Sequence, residues 1–201
     1  MTYRDQKHAL RTLTGLAAVQ GGYFTAKQAE ESGYAPPHLA YHVKVGNFEK
    51  SGHGLYRIPT LPPSEHDDLL RLSLWSRGRD GHPQAVVSHH TALGLYDLSE
   101  LIPGAIHLTV PPTFRKRPPR GCRLHKRALT EADSTEIQGF RVTTPARTLD
   151  DLADDPSMPR EQYDKAVRAA VARGLIRRSR TRVLLKKRWT VKEDGKTKAA
   201  R

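Results

Sequence analysis

Few residues of this chain have the types and spacing that chemistry requires. Ser88 is followed directly by His89 and His90, a hydroxyl beside two potential bases. Nucleophilic catalysis needs the base within hydrogen-bond reach of the hydroxyl. Adjacent residues on a helix point in different directions, so the pattern reads instead as Ser88 capping a helix. Asp150, Asp151, Asp154 and Asp155 offer the several oxygens that a hard divalent cation takes. The preferred reading is a solvated helix whose aspartates pair with nearby arginines. His8, His38, His42 and His53 match no standard zinc spacing and read as solvated or phosphate-facing. Glu193 and Lys196 are wrongly spaced for the Glu-x-Lys of a nuclease core. No Gly-rich phosphate loop, kinase signature or GxSxG elbow occurs. Cys122 is the only cysteine, which excludes an intrachain disulfide and a multi-cysteine zinc site. The sequence therefore assigns no catalytic residue, no metal site and no cofactor.

The elements that must position any site follow from periodicity. In the first sixty residues, Ala9, Leu10, Leu13, Leu16, Ala17 and Val19 recur in a largely helical rhythm, which Gly21-Gly22 stops. Thr25 and Gln28 have the spacing of a capping box at the start of a short second helix, which Gly33 ends. Pro36-Pro37 opens a third helix that runs to about Val45. Leu39, Val43 and Ala40 face inward, which leaves His38, Tyr41, His42 and Lys44 on the outer face. Phe48 to Lys50 and Leu55 to Ile58 read as the strands of a hairpin turning at residues 51–54. Helix, short helix, helix, hairpin is the order of a winged helix–turn–helix, in which the third helix enters the major groove. His38, Tyr41, His42 and Lys44, with Lys50, His53 and Arg57 of the wing, are the candidate DNA contacts. A protein-docking role for the same fold is the competing reading.

Charge divides the 201 residues unevenly. The net formal charge of +13 splits as +3 over residues 1–60, −3 over 61–110, +5 over 111–150 and +8 over 151–201. Separate basic patches around an acidic middle point to polyanion contact or an acidic protein partner, with simple solubility as the alternative. Thr60-Leu-Pro-Pro reads as a linker to an α+β domain over 61–190, and 191–201 reads as a disordered polar tail. Ser64 is expected to cap a helix to about Arg77, and Ser88 another. Strands are expected at 105–110, 122–127 and 139–143, three or four in all. Helices are expected after Thr144 and from about Pro159 to Gly174. Arg115, Lys116, Arg117 and Arg120 form an exposed cationic turn between two strands. Residues 173–192 hold nine Lys or Arg, among them Arg177, Arg178, Arg180 and Arg182, interleaved with apolar residues. No apolar run is long enough to cross a bilayer and the N-terminus lacks a signal-peptide core, so the expected location is the cytoplasm.

The ordered set of GGYFTAKQAEESGY, GHGLYRIP, AVVSHHTALGLYDL, IHLTVPP, RLHKR and GFRVTTPARTLDDLA resembles AbiEi-type antitoxins over roughly residues 8–155. The resemblance implies a type IV toxin–antitoxin system. There, the winged helix represses the antitoxin's own operon by binding operator DNA. A second domain opposes a co-expressed AbiEii-type toxin that resembles nucleotidyltransferases. The resemblance places the DNA-facing set on the helix around His38, Tyr41, His42 and Lys44 and on the wing. It supplies no residue motif for antitoxicity. Charge alone nominates Arg115, Lys116, Arg117, Arg120, Arg177, Arg178, Arg180 and Arg182 for toxin contact. The competing readings are a winged-helix regulator without a toxin partner and an antitoxin that modifies its toxin covalently. Oligomeric state is left open.

Overall fold

The computed structural model describes residues 3–197, with side chains described over residues 5–187. The chain is mixed α+β and forms two compact units, residues 1–85 with 136–140, and residues 86–135 with 141–201.

The first unit opens with α1 (Tyr3–Ala18), whose Ala9, Leu13 and Ala17 are buried while Leu10 is exposed. Gly21 and Gly22 adopt positive φ of 63° and 88°, conformations costly for residues with a Cβ, and the helix stops there. The next three residues form a strand that the sequence pattern did not announce, β1 (Tyr23–Thr25). Thr25 then caps α2 (Ala26–Glu31). The Gln28 amide donates to Thr25 Oγ1 at 3.2 Å, and Thr25 N donates back to Gln28 Oε1 at 2.9 Å. This reciprocal pair satisfies two backbone donors and completes the expected capping box. After Gly33, α3 (Pro36–Lys44) begins with both prolines in its first turn, where a missing N–H costs nothing.

The hairpin follows as β2 (Glu49–Gly52) and β3 (Leu55–Arg57), with His53-Gly54 as its tip. Strand order is β1-β3-β2, all antiparallel, so β3 is central. The Ala26 amide donates to Gly54 O at 2.9 Å and ties the hairpin tip to the start of α2. Leu13, Phe24, Leu39, Phe48 and Ile58 are at the centre of the buried core. The last helix of the unit, α4 (Asp67–Trp75), buries Leu69, Leu70, Leu72 and Leu74. Its N-cap is His66 and not Ser64, whose hydroxyl accepts from the His66 amide just upstream of the helix.

The second unit is built on a five-stranded sheet of order β6-β5-β4-β8-β7. Its strands are β4 (Val86–Val87), β5 (Ile106–Val110), β6 (Cys122–Lys126), β7 (Ser134–Ile137) and β8 (Phe140–Thr143). Five strands exceed the expected three or four, because the polar β7 and the two-residue β4 carry almost no alternation to read. β5 and β6 run parallel, with His107 opposite Arg123 and Thr109 opposite His125. The proline-rich residues 111–121 are the expected exposed loop, and because β5 and β6 are parallel it runs back along the strands as a return crossing. Four helices complete the unit: α5 (His89–Leu95), α6 (Pro145–Ala153), α7 (Arg160–Ala172) and α8 (Arg178–Thr197). Leu93, Leu149, Leu152, Met158, Tyr163, Val167 and Leu184 form its core. The fully buried Tyr163 satisfies its hydroxyl by donating to Leu149 O at 3.1 Å. α8 takes in residues 192–197, expected to be disordered tail, while 198–201 lie outside the described residues.

Thr25→Ala should destabilise the protein by about 1 kcal/mol, the usual cost of losing an N-cap. The measurement is a denaturant titration, in which the midpoint falls at unchanged m-value. An unchanged midpoint would mean that α2 does not depend on its capping box.

Candidate functional site

On α3, one inward residue decides which residues face out. Leu39 is buried, Val43 is half-buried, and His38, Tyr41 and Lys44 are exposed. These three are spaced i, i+3, i+6, which places them on one stripe of the helix. Tyr41 is 60% exposed, far more than a ring with only a structural role would be. Ala40, expected to point inward, is exposed as well.

His42 departs from the expected outward set. It is half-buried, with its ring 5.2 Å from Tyr34 and 5.1 Å from Phe48. Its Nδ1 lies 3.0 Å from the Asn47 amide nitrogen. Burial pushes its pKa down, with the nearby His38 adding to the effect. These contacts make His42 a packing residue between α3 and the hairpin. On the hairpin, Lys50 and His53 are exposed. Arg57 is turned back: its Nη2 donates to Leu61 O at 2.7 Å, and its guanidinium lies 6.0 Å from the centre of the Tyr23 ring.

The basic residues nominated for toxin contact fall into two groups. Arg115, Lys116, Arg117 and Arg120 lie on the 111–121 crossing, anchored by the buried Phe114. Arg177, Arg178 and Arg182 are exposed at the start of α8. Arg180 is instead paired with Asp150. Trp189, Val191 and Lys192 of the expected amphipathic segment lie outside the described side chains.

Of the four aspartates expected to pair with arginines on a solvated helix, only Asp150 and Asp151 do so, and Asp151 is buried. Asp151 is almost wholly buried between Arg127 at 2.8 Å and Arg147 at 2.9 Å. Asp154 meets Lys187 at 3.1 Å. Asp155 instead accepts from the Ser157 amide and hydroxyl and faces His90 Nε2 at 3.6 Å.

Near Asp155 lies a constellation that the sequence reading did not assemble. His89, His107 and His125 place one ring nitrogen each within 4.8 Å of the others. His107 Nδ1 and His125 Nε2 are 3.1 Å apart, and the rings of His89 and His125 stack at 3.6 Å. Parallel register explains two of them: His107 and Thr109 share one sheet face, and His125 lies opposite Thr109. His89 reaches them because its φ is +52°, so it does not continue as an ordinary first-turn residue. The same kink overturns the separation expected of Ser88 and His89, placing Ser88 Oγ 2.9 Å from His89 Nδ1. Ser88 holds the N-cap position of α5 but makes no capping bond, and its hydroxyl accepts from Thr109 Oγ1 at 2.9 Å. A cleft of about 480 Å³ opens over His89 and His125, lined also by Arg123, Asp151 and Asp155. Burial, with mutual repulsion, lowers His89 to a pKa of about 3 and His107 to about 4, so both imidazoles are neutral at pH 7. The pairs His89-His90, His107 in IHLTV and His125 in RLHKR were visible as residues. Only the parallel pairing of two strands read as turn-connected brings them together.

Among the described residues, no helix is long and apolar enough to cross a membrane. No curated protein matches the chain. Among solved structures, the chain is similar to the crystal structure of the RV2827C protein from Mycobacterium tuberculosis. The identity is 18% and the TM-score 0.46, over 90% of this chain and 81% of that one. Residues 11–59 match the family described as transcriptional regulator, AbiEi antitoxin. That segment runs from α1 through β3, and over it the chain is similar to the AbiEi antitoxin family of transcriptional regulators.

Proposed function

We propose that the first unit is a winged helix–turn–helix that represses its own operon, and that the second neutralises a co-expressed nucleotidyltransferase-like toxin. The observation that carries the reading is the exposed stripe of His38, Tyr41 and Lys44 on α3, within the segment that matches the family. A helix held by its apolar face, with polar and aromatic residues outward, is suited to the major groove. Lys50 and His53 on the hairpin are placed to meet phosphates beside it. His42 and Arg57 are occupied inside the unit and support the helix and hairpin rather than the contact. For the toxin, the exposed Arg115, Lys116, Arg117 and Arg120, with Arg177, Arg178 and Arg182, offer a cationic surface to an acidic partner face. Both activities belong to the cytoplasm, where operator and toxin are met together.

Two experiments test the reading. Replacing His38, Tyr41 and Lys44 together with Ala should weaken binding to the DNA upstream of this gene at least tenfold in a mobility-shift assay, at unchanged melting temperature. His42→Ala should instead lower stability by about 1 kcal/mol, through loss of its ring contacts. Unchanged DNA affinity in the triple variant would remove α3 as the reading helix.

Co-purification with the product of the neighbouring gene tests the second role. A stable complex that weakens as salt is raised is expected, because exposed charge pairs are screened. Rescue of growth with no complex at any salt would mean that neutralisation does not use this surface.

A further inference from the structure

From this geometry we infer that His89, His107 and His125 form a binding site for a divalent first-row transition ion, with Zn²⁺ the natural occupant. Three imidazoles suit such ions better than Mg²⁺ or Ca²⁺, which take oxygen ligands. At Zn–N distances of about 2.0–2.1 Å, the nitrogens of a tetrahedral site stand about 3.3 Å apart. His107 Nδ1 and His125 Nε2 already stand at 3.1 Å, and all three donor atoms lie within 4.8 Å. His89 and His125 are stacked with 14° between their planes. Binding therefore tilts one ring out of the stack, so that both lone pairs converge on a single point.

The surroundings match what metal-binding histidines require. His89 Nδ1 faces Ser88 Oγ at 2.9 Å, an outer-shell partner that orients the ring and, with Nδ1–H as the donor, leaves Nε2 its lone pair for the ion. Thr109 Oγ1 donates to that same hydroxyl and holds it in place. The +52° backbone of His89 is strain at the site itself, which a ligand would offset. His107 is buried beneath, while the cleft over His89 and His125 leaves an open coordination position towards solvent. Asp155 lies on the wall of that cleft and supplies negative charge near the ion.

The test is calorimetric titration of the full chain with Zn²⁺, followed by Co²⁺ substitution read in the visible spectrum. One equivalent of Zn²⁺ should bind and raise the melting temperature, and Co²⁺ should give the absorption bands of a nitrogen-ligated, low-coordinate site. His125→Ala removes a half-buried ligand, and His89→Asn keeps a residue type that tolerates positive φ. Each should weaken Zn²⁺ binding at least tenfold, while the metal-free melting temperature of at least one stays near that of the parent. His38→Ala and His53→Ala should leave binding unchanged. Absence of binding at about 100 µM Zn²⁺, the Kd range of a weak site, or full binding in a folded His125→Ala or His89→Asn variant, would overturn the site.

Discussion

The arrangement of the first unit depends on one aromatic cluster. Phe24 of β1 sits edge-on to Phe48 at 5.0 Å and stacks on Tyr56 of β3 at 5.7 Å. Phe48 in turn meets Tyr34 and His42, the latter on α3. Such pairs contribute about 0.5–1.5 kcal/mol each beyond the area they bury. In a chain with only 6% aromatic residues, this concentration in one place is informative. It ties α3 through side chains to β1 and β3, which are themselves paired through their backbones. The outward stripe of α3 follows from it: once Leu39 and His42 are committed inward, His38, Tyr41 and Lys44 have no other side to occupy.

In the second unit the organising element is the parallel pair β5–β6 and what gathers on one of its faces. Parallel strands place His107, Thr109, Arg123 and His125 on a common surface. Asp151 then draws in Arg127, just beyond β6, and Arg147 of α6. Removing one partner of so buried a carboxylate pair typically costs about 3–5 kcal/mol. Much of the unit's basic charge is consumed in this way, since Arg180 and Lys187 are paired with Asp150 and Asp154. Exposed basic residues remain on the 111–121 crossing and at the start of α8, and also at Arg123, Lys126, Arg141 and Arg168.

What could be read from sequence was local. The capping box at Thr25 and Gln28, the stop at Gly21-Gly22, the proline opening of α3 and the strand at residues 106–110 all rest on residues within a few positions of one another. The features that escaped depend on distant partners. β1 is only three residues long and is a strand because β3 pairs with it. Ala40, Arg57 and His42 took their true orientations from neighbours outside their own elements. The histidine cluster needed a fact no short window contains, the direction of β6 relative to β5. A single unusual dihedral at His89 did the rest, by turning a side chain that helical geometry would have aimed elsewhere.

The most direct test of the central claim is the affinity of the full chain for the duplex upstream of its own gene, against a scrambled duplex, across a salt series. Operator recognition by α3 and the hairpin predicts tighter binding to the upstream duplex at every salt concentration. It also predicts a log–log salt slope of about −2 or steeper per subunit, from phosphate contacts by Lys44 and Lys50. Equal affinity for both duplexes, or no binding to either, would contradict it.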